Sequence, residues 1–484
     1  LLIGLVTKEQ TMQTTSTKTA KTGAQGNPPD AAATPVWNWT KELVTYPQAV
    51  VAAHSVDDIV AVVRDRDKYP APVRAHGSKH TTTACGEADG GTIVDIRAMD
   101  RILRIGGERV TAEAGAKYID VAKELEKHNL QFFVNIELGN LSMGAAACTA
   151  TKDASMPGEY GQVNSYCIGL KLVKASGDIV EITENDTEVL QAARSSYGML
   201  GIVYEVTFKV KPLQAMKVKH EVFSVDAFAR RLPELIGRGQ SMMMYVFPFL
   251  NRIVVEFRSY VGEEAEVKKR LRASHFIWRL RNRSWKTVVP WLNHILEKYA
   301  PQLIRYHIVN AVNWIVQLML TKLLVGENTI PTDQMIRYPA VSGASKYTFS
   351  IWAIAEDRYS EALLEYFRFA QEYYKTNHWR PNMLHVGYRI LQDQSSLFSY
   401  TYDGDVLTID PVSTGEPGWM DFLAAYNEFC SERGGWPLLN QTPGLTRGQV
   451  QKAFGDRLDR FAALRSRFDP DDRFLNGYFR ELVT

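Results

Sequence analysis

The segment Val73-Arg74-Ala75-His76-Gly77-Ser78-Lys79-His80-Thr81-Thr82 reads as a strand running into a tight turn. Apolar and polar side chains alternate up to His76, then Gly77-Ser78-Lys79 stops the strand and His80 follows directly. Backbone N–H groups left unpaired in such a turn point outward, and this arrangement suits a pyrophosphate. The fold must therefore place a strand end against a phosphate-bearing ligand, with an imidazole beside it.

The surrounding sequence narrows the architecture. Ser55-Val56-Asp57-Asp58 resembles a capping box, and Ile59, Val62 and Val63 continue at helical spacing. Thr92 to Ile96 reads as a strand. Ile102–Ile105 and Arg109–Glu113 flank Gly106-Gly107, and Ile168–Val173 and Ile179–Ile182 flank Ser176-Gly177-Asp178, so two hairpins are expected. Tyr118, Val121, Ala122 and Leu125 form a helical stripe, and Tyr204 to Val210 alternates as a strand with one wet face. The strand–helix–strand rhythm of a dinucleotide fold is missing, and no GxGxxG follows a strand, which disfavours a nicotinamide-binding domain.

With 484 residues the chain is long enough for two or three domains. A net charge of only +2 does not favour a nucleic-acid partner. Cys85, Cys148, Cys167 and Cys430 lie far apart with no metal-ligand spacing, so free thiols in a reducing compartment, the cytoplasm, are expected, with no metal. Residues 1–34 read as a disordered tail, and Met12 is the expected natural start.

Beyond Pro212 the texture changes. Met242–Phe249, Ile253–Phe257, Tyr347–Ile354 and Val406–Ile409 have strand character, while 268–324 is rich in Trp, Arg, Leu and Ile at helical spacing. Residues 450–483 read as a helix followed by a short extended tail. The expected class is α+β, with residues 35–212 as the first folded domain. A cap domain over 213–449 is built on an antiparallel sheet with flanking helices, and 450–484 returns to the first domain.

Four segments, in order, carry a family resemblance: Val73–Thr81, the hairpin Ile102–Gly115, Gly139-Asn140-Leu141-Ser142-Met143-Gly144-Ala145, and Tyr197-Gly198-Met199-Leu200-Gly201-Ile202-Val203. Residues 40–212 thereby resemble the two-subdomain, PCMH-type FAD-binding domain of the vanillyl-alcohol oxidase superfamily. The resemblance implies FAD as cofactor, held by Arg74, Gly77, Ser78, Lys79, Thr81, Ser142, Gly144, Thr149, Gly198, Gly201 and Ile202. His80 takes the position that carries an 8α-histidyl bond in many members, while other members hold FAD non-covalently. The helix start after Ser142 would add an N-terminus that favours phosphate. Asp469 to Phe479 looks like the closing segment of aldonolactone and alditol oxidases. There Asn476 either returns to the flavin or caps a helix C-terminus.

The substrate site departs from that subgroup. Its Glu-x-Arg strand aligns with Gly387-Tyr388-Arg389, which retains only the arginine. Its His-Trp-x-Lys aligns with Leu438-Leu439-Asn440-Gln441 after Gly434-Gly435-Trp436-Pro437. Lost charge and gained apolar surface favour a small-molecule alcohol less polar than a free sugar, or a lipid-like one, because buried unpaired hydroxyls cost about 1–3 kcal/mol each. The expected reaction is hydride transfer from a CH–OH carbon to FAD. Arg389 stabilises charge, Gln441 orients substrate, and Lys152 contacts the flavin edge or the substrate, or else lies on the surface. Oxygen or another acceptor would take the electrons. A C=C reductase using NAD(P)H and a non-catalytic flavoprotein remain open.

Lys268, Lys269, Arg270, Arg272, Arg279, Arg281, Arg283 and Lys286 interleave with Phe276, Ile277, Trp278 and Trp285, and no acid occurs from Val267 to Leu296. The segment 268–325 therefore reads either as a peripheral contact with an anionic membrane surface or as a solvated face of the cap.

Overall fold

A computed structural model of the chain describes residues 34–261, 264–271, 275–323, 328–338 and 346–484. The expected tail up to residue 33, the Met12 start, and positions 272–274 and 324–325 of the basic segment lie outside the described residues.

The Val73–His76 strand lies at the edge of a small parallel sheet with Thr92–Asp95 in the centre and Ala49–Ala52 on the far side. Parallel neighbours need a crossover, and the helix Val56–Arg64 supplies one. Its capping box forms as the sequence predicts: Ser55 Oγ accepts from the Asp58 N–H at 3.3 Å and Asp58 accepts from the Ser55 N–H at 3.0 Å. Ile59, Val62 and Val63 are buried on its inner stripe.

A second, antiparallel sheet runs Ile179–Thr183, Cys167–Val173, Ile202–Pro212, Arg109–Glu113 and Ile102–Gly106, with Leu130–Phe132 pairing the far end of Ile202–Pro212. Both expected hairpins are present, turning at Gly107 and Gly177, whose φ values are +59° and +81°.

The cap is an eight-stranded sheet in the order Asn328–Thr329, Ala215–Phe223, Arg252–Val261, Ser241–Phe247, His385–Ile390, Val406–Ile409, Trp352–Ala355, Trp436–Pro437. All of its pairings are antiparallel among the described residues. Every residue of the central strand Ser241–Phe247 is buried, so both sheet faces must be covered. Met242, Met244 and Val246 join the core formed with the helices Val225–Gly237 and Glu356–Asn377. Met243, Tyr245 and Phe247 point the other way, onto Trp278, Ile277, Trp285 and Val316. These last residues belong to the helices Phe276–Arg283 and Gln302–Leu323 and to the π-helical turn Ser284–Val288. The helical character expected for this segment is therefore present, and its inner side completes the cap.

Two expectations differ from the structure. Tyr347–Ile354 is not one strand: Thr348–Phe349 pairs with Val412–Ser413, and Trp352–Ala355 joins the cap sheet. Both pieces are apolar, so alternation gives no sign of the switch between them. The C-terminal stretch is three helices, Arg447–Phe454, Asp456–Phe468 and Gly477–Val483, rather than a helix and an extended tail. Gly455, at φ +50°, divides the first two.

The closing loop hooks back onto the first sheet. Val73 N–H donates to Arg473 O at 2.8 Å, and Arg473 donates to the Val62 and Val63 carbonyls at the C-terminal end of the Val56–Arg64 helix. A cation there complements the helix dipole. Asn476 caps the N-terminus of Gly477–Val483, the opposite end to the one the sequence offered, with Oδ1 accepting from the Phe479 N–H at 3.1 Å. Its Nδ2 donates to the carbonyls of Ala84 and Glu87, both at 3.0 Å. Asn476→Ala should therefore lower stability by about 2–4 kcal/mol, combining a lost cap with carbonyls left short of a donor. Asn476→Asp keeps the cap oxygen and should fall between that variant and the parent in urea unfolding.

Candidate active site and cofactor cradle

A cavity of about 290 Å³ opens where the two sheets of the first domain meet the cap. The Gly77-Ser78-Lys79 turn, His80 and Thr81 form one wall, and Ser142, Gly144 and Thr149 face it from the second sheet's side. The two walls touch. A Cβ added at Gly77 would fall 2.3 Å from Ser142 Oγ and 2.7 Å from Ser142 Cβ, so no larger residue fits. Lys79 adopts φ +59°, the left-handed conformation that turns successive N–H groups to one side. Gly198, at φ +80°, and Gly201 line the same cavity.

The helix start contributes less than the sequence suggests. Met143–Cys148 is only six residues, and the Met143 and Gly144 N–H groups donate to the carbonyls of Ala116 and Ala114, both at 2.8 Å. These two donors are spent on the neighbouring strand, so the Gly77–Lys79 turn carries the phosphate reading. Thr149 Oγ1 likewise donates to its own helix, at Ala145 O.

Arg74 lines the cavity but acts on the protein. Its Nη1 donates to Phe474 O at 2.7 Å, and its Nη2 to Cys85 O at 2.7 Å and Tyr197 O at 2.5 Å. Burial lowers its pKa to about 10, so it remains charged at neutral pH. Ile202 packs in the core, and Asn476 is spent on the 84–87 turn and its helix cap; neither lines the cavity.

His80 is almost wholly buried, with its ring centroid 5.0 Å from that of Trp39. Burial lowers its pKa to about 4, which makes it a neutral imidazole at physiological pH. Its Nδ1 has no hydrogen-bond partner among the described residues. A buried nitrogen without a partner is costly, and a ligand atom at this position would relieve it. The loop is held from behind by the 439–441 segment: Thr82 N–H and Thr81 Oγ1 donate to Asn440 O, and Thr83 Oγ1 to Leu439 O.

Gln441 belongs to this strap. Its Oε1 accepts from Thr82 Oγ1 at 3.1 Å, and its Nε2 donates to His80 O at 3.2 Å. Each end of the amide makes one such bond, so Gln441 ties the histidine loop to this strap while its side chain also lines the cavity. Of the two leucines before it, Leu438 reaches the cavity and Leu439 packs in the core.

Arg389 is not in the site. It donates to Glu356 at 2.6 Å and Asp405 at 2.9 Å on the opposite face of the cap sheet. Its neighbours Val386 and Tyr388 line the cavity. A strand alternates faces at every residue, so an alignment off by one position exchanges the two sets.

Lys152 is in the site, and its side chain is only 4% exposed. Its Nζ lies 2.6 Å from Asp410 Oδ2 and 3.8 Å from the centroid of the Tyr388 ring. Burial pushes the Asp410 carboxyl up and the Lys152 amine down, toward neutrality in both cases, while their attraction opposes this. Asp410 Oδ1 is buried with no hydrogen-bond partner among the described residues. The rest of this end is largely aromatic. Trp285, Tyr338, Tyr347 and Phe349 line it, and Tyr338 donates to Glu137 at 2.7 Å. Sequence reasoning missed Asp410, Tyr388 and this aromatic wall. Lys152 and Asp410 are 258 positions apart, and no spacing rule links them.

The chain matches two families in succession: the FAD binding domain family over residues 47–183 and the D-arabinono-1,4-lactone oxidase family over residues 206–482. It is 23% identical over 452 residues to an L-gulono-1,4-lactone dehydrogenase of Mycobacterium tuberculosis, covering 93% of this chain and 99% of the relative. It is 22% identical over 457 residues to an L-gulonolactone oxidase of Mus musculus, covering 92% and 97%. Its fold is similar to that of a solved cholesterol oxidase from Brevibacterium sterolicum, with TM-score 0.72 at 16% identity over 96% of this chain and 100% of that one.

The residues present fit FAD: a glycine turn packed directly on Ser142, with Lys79 at φ +59°, and a buried imidazole nitrogen left without a partner beside it. Gly77→Ala should abolish flavin retention while leaving the far-ultraviolet circular dichroism intact. Gly77→Ala combined with Ser142→Gly removes the clashing atoms and should restore yellow colour, measured as bound flavin per chain.

Proposed function

The chain belongs to the D-arabinono-1,4-lactone oxidase family of FAD-linked oxidoreductases, and we propose that it oxidises the CH–OH carbon of an alcohol with a largely apolar body. The observation that carries this reading is the buried Lys152–Asp410 pair set among Trp285, Tyr347, Phe349, Tyr388 and Leu438.

Bound FAD supplies the two-electron acceptor for the hydride that leaves the carbinol carbon. The chain's own groups handle the proton and the charge. Asp410 lines the cavity and its Oδ1 has no hydrogen-bond partner among the described residues, so it is the group that accepts the hydroxyl proton as the hydride departs. The upward push of burial on this carboxyl brings it closer to neutral pH, where a general base works best. The Lys152 ammonium holds the carboxylate ionised before the step and stabilises the oxygen that loses its proton. The Tyr388 ring under Nζ fixes the ammonium with a cation–π contact.

The substrate class follows from the wall. Relatives in this family are named for sugar lactones. A free aldonolactone bound here would face Trp285, Tyr347, Phe349, Ile351, Val412 and Leu438. Hydroxyls buried against such groups lose about 1–3 kcal/mol each. An alcohol with a single hydroxyl at the Lys152–Asp410 end meets no such penalty. His80 is the residue that would carry a histidyl bond to the flavin, supported by its neutral ring and free Nδ1.

Three measurements check this reading. Anaerobic bleaching should be faster with an apolar alcohol than with L-gulonolactone, and equal or faster bleaching by the lactone would reject the substrate assignment. Asp410→Asn should slow bleaching by about 100- to 10,000-fold with flavin content unchanged. Acid precipitation should leave the yellow colour in the pellet for the parent and release it for His80→Ala.

A further inference from the structure

We propose that the outer faces of the helices between residues 276 and 323 dock on an anionic lipid bilayer and open the cavity toward it. Each helix has one buried and one exposed face. On Phe276–Arg283, Trp278 and Arg281 are buried, whereas Phe276, Arg279, Leu280 and Arg283 share the exposed side. On Val289–Tyr299 the exposed residues are Trp291, His294, Lys298 and Tyr299, and on Gln302–Leu323 they include Ile304, Trp314, Ile315 and Lys322. Phe276 is 62% exposed, Trp291 50% and Ile315 61%, which is unusual for side chains of this size within one short segment.

Charge selects the occupant. Residues 275–323 contain seven Lys and Arg but only one acid, Glu297. They carry +6 in a chain whose total is +2, leaving the remainder at −4. Two of these cations point inward: Arg281 bonds Glu137 and Tyr245, and Arg305 pairs with Glu416 at 2.9 Å. Arg279, Arg283, Lys298 and Lys322 face solvent beside the aromatic residues. Aromatic and aliphatic side chains mixed with exposed cations match the headgroup region of an anionic leaflet. A second copy docked here would set +6 against +6. No helix of the described residues is long and apolar enough to cross a membrane, so the segment lies on the surface.

The same segment reaches the site. Trp285, in the turn between the first two helices, lines the cavity with its ring centroid 5.8 Å from that of Tyr347. One structural unit thus faces lipid on its outer side and the aromatic end of the cavity on its inner side. Entry of an apolar alcohol by this route rests on the proposed substrate class; the docking itself does not.

The test uses oxidised holoenzyme without substrate, floated with vesicles of phosphatidylcholine alone or mixed with phosphatidylglycerol, at low and high salt. The parent should bind the anionic vesicles, and less so at high salt. Arg279→Gln/Arg283→Gln/Lys298→Gln should weaken binding by about fivefold per cation removed. Phe276→Ser/Trp291→Ser/Ile315→Ser should abolish binding at both salt concentrations. Both variants should retain bleaching by a water-soluble alcohol. Failure of the parent to bind at low salt, or binding unchanged in both variants, overturns the proposal. So does a concentration-dependent dimer of the parent that the serine variant dissolves without any vesicle binding. Vesicle binding with no bleaching by apolar alcohols would leave docking standing and remove only the substrate reading.

Discussion

The Arg74 guanidinium holds the site together. It is buried at the end of an edge strand and donates to carbonyls at positions 85, 197 and 474, which come from three distant parts of the chain. Burying a cation is costly unless its donors are engaged; both terminal nitrogens are bonded here, while Nε has no partner among the described residues. Hydrogen bonds from a charged donor are stronger than neutral ones, so the three loops are fixed relative to the strand that carries the Gly77–Lys79 turn. Arg473 and Asn476 add bonds from the same closing segment to the Val56–Arg64 helix and the 84–87 turn. The C-terminal stretch thus braces the cradle from outside the cavity, although it comes after the cap in sequence.

The proposed chemistry sits at the other end, where burial and attraction oppose each other. Asp410 and Lys152 would each be driven neutral if buried alone; held 2.6 Å apart, they can stay ionised. The Tyr388 ring adds attraction on one side of the ammonium only. One carboxylate oxygen is left over, in a space whose other walls are mostly carbon. The buried ion pair is the feature behind the proposal of a substrate with one reacting hydroxyl.

Much of the first domain was legible because its signals are local. A capping box needs four residues and a hairpin about ten, and both are decided by neighbours in sequence. The cradle was legible for a related reason: Gly77, Lys79 and His80 are adjacent and defined by one turn. The catalytic end was not legible. The strand His385–Ile390 has buried residues on both faces, so apolar alternation could not say whether Tyr388 or Arg389 faces the cavity. Gln441 was expected to orient the substrate, and its engagement by Thr82 and His80 depends on contacts across about 360 positions. Asp410 had no sequence signal, because an acid at the end of a strand acquires its meaning only from the distant lysine that meets it.

The cap sheet gives the helices of 276–323 their first task. A sheet whose central strand is buried throughout needs cover on both faces. The helices Val225–Gly237 and Glu356–Asn377 cover one, and nearly all of their large apolar residues are inside. The segment 276–323 covers the other with Trp278, Ile277, Trp285 and Val316, yet leaves Phe276, Trp291 and Ile315 outside. If covering the sheet were their only task, the outer faces would be polar, as they are on the first pair. The apolar surface and positive charge that remain on these outer faces are what the proposed lipid contact would use.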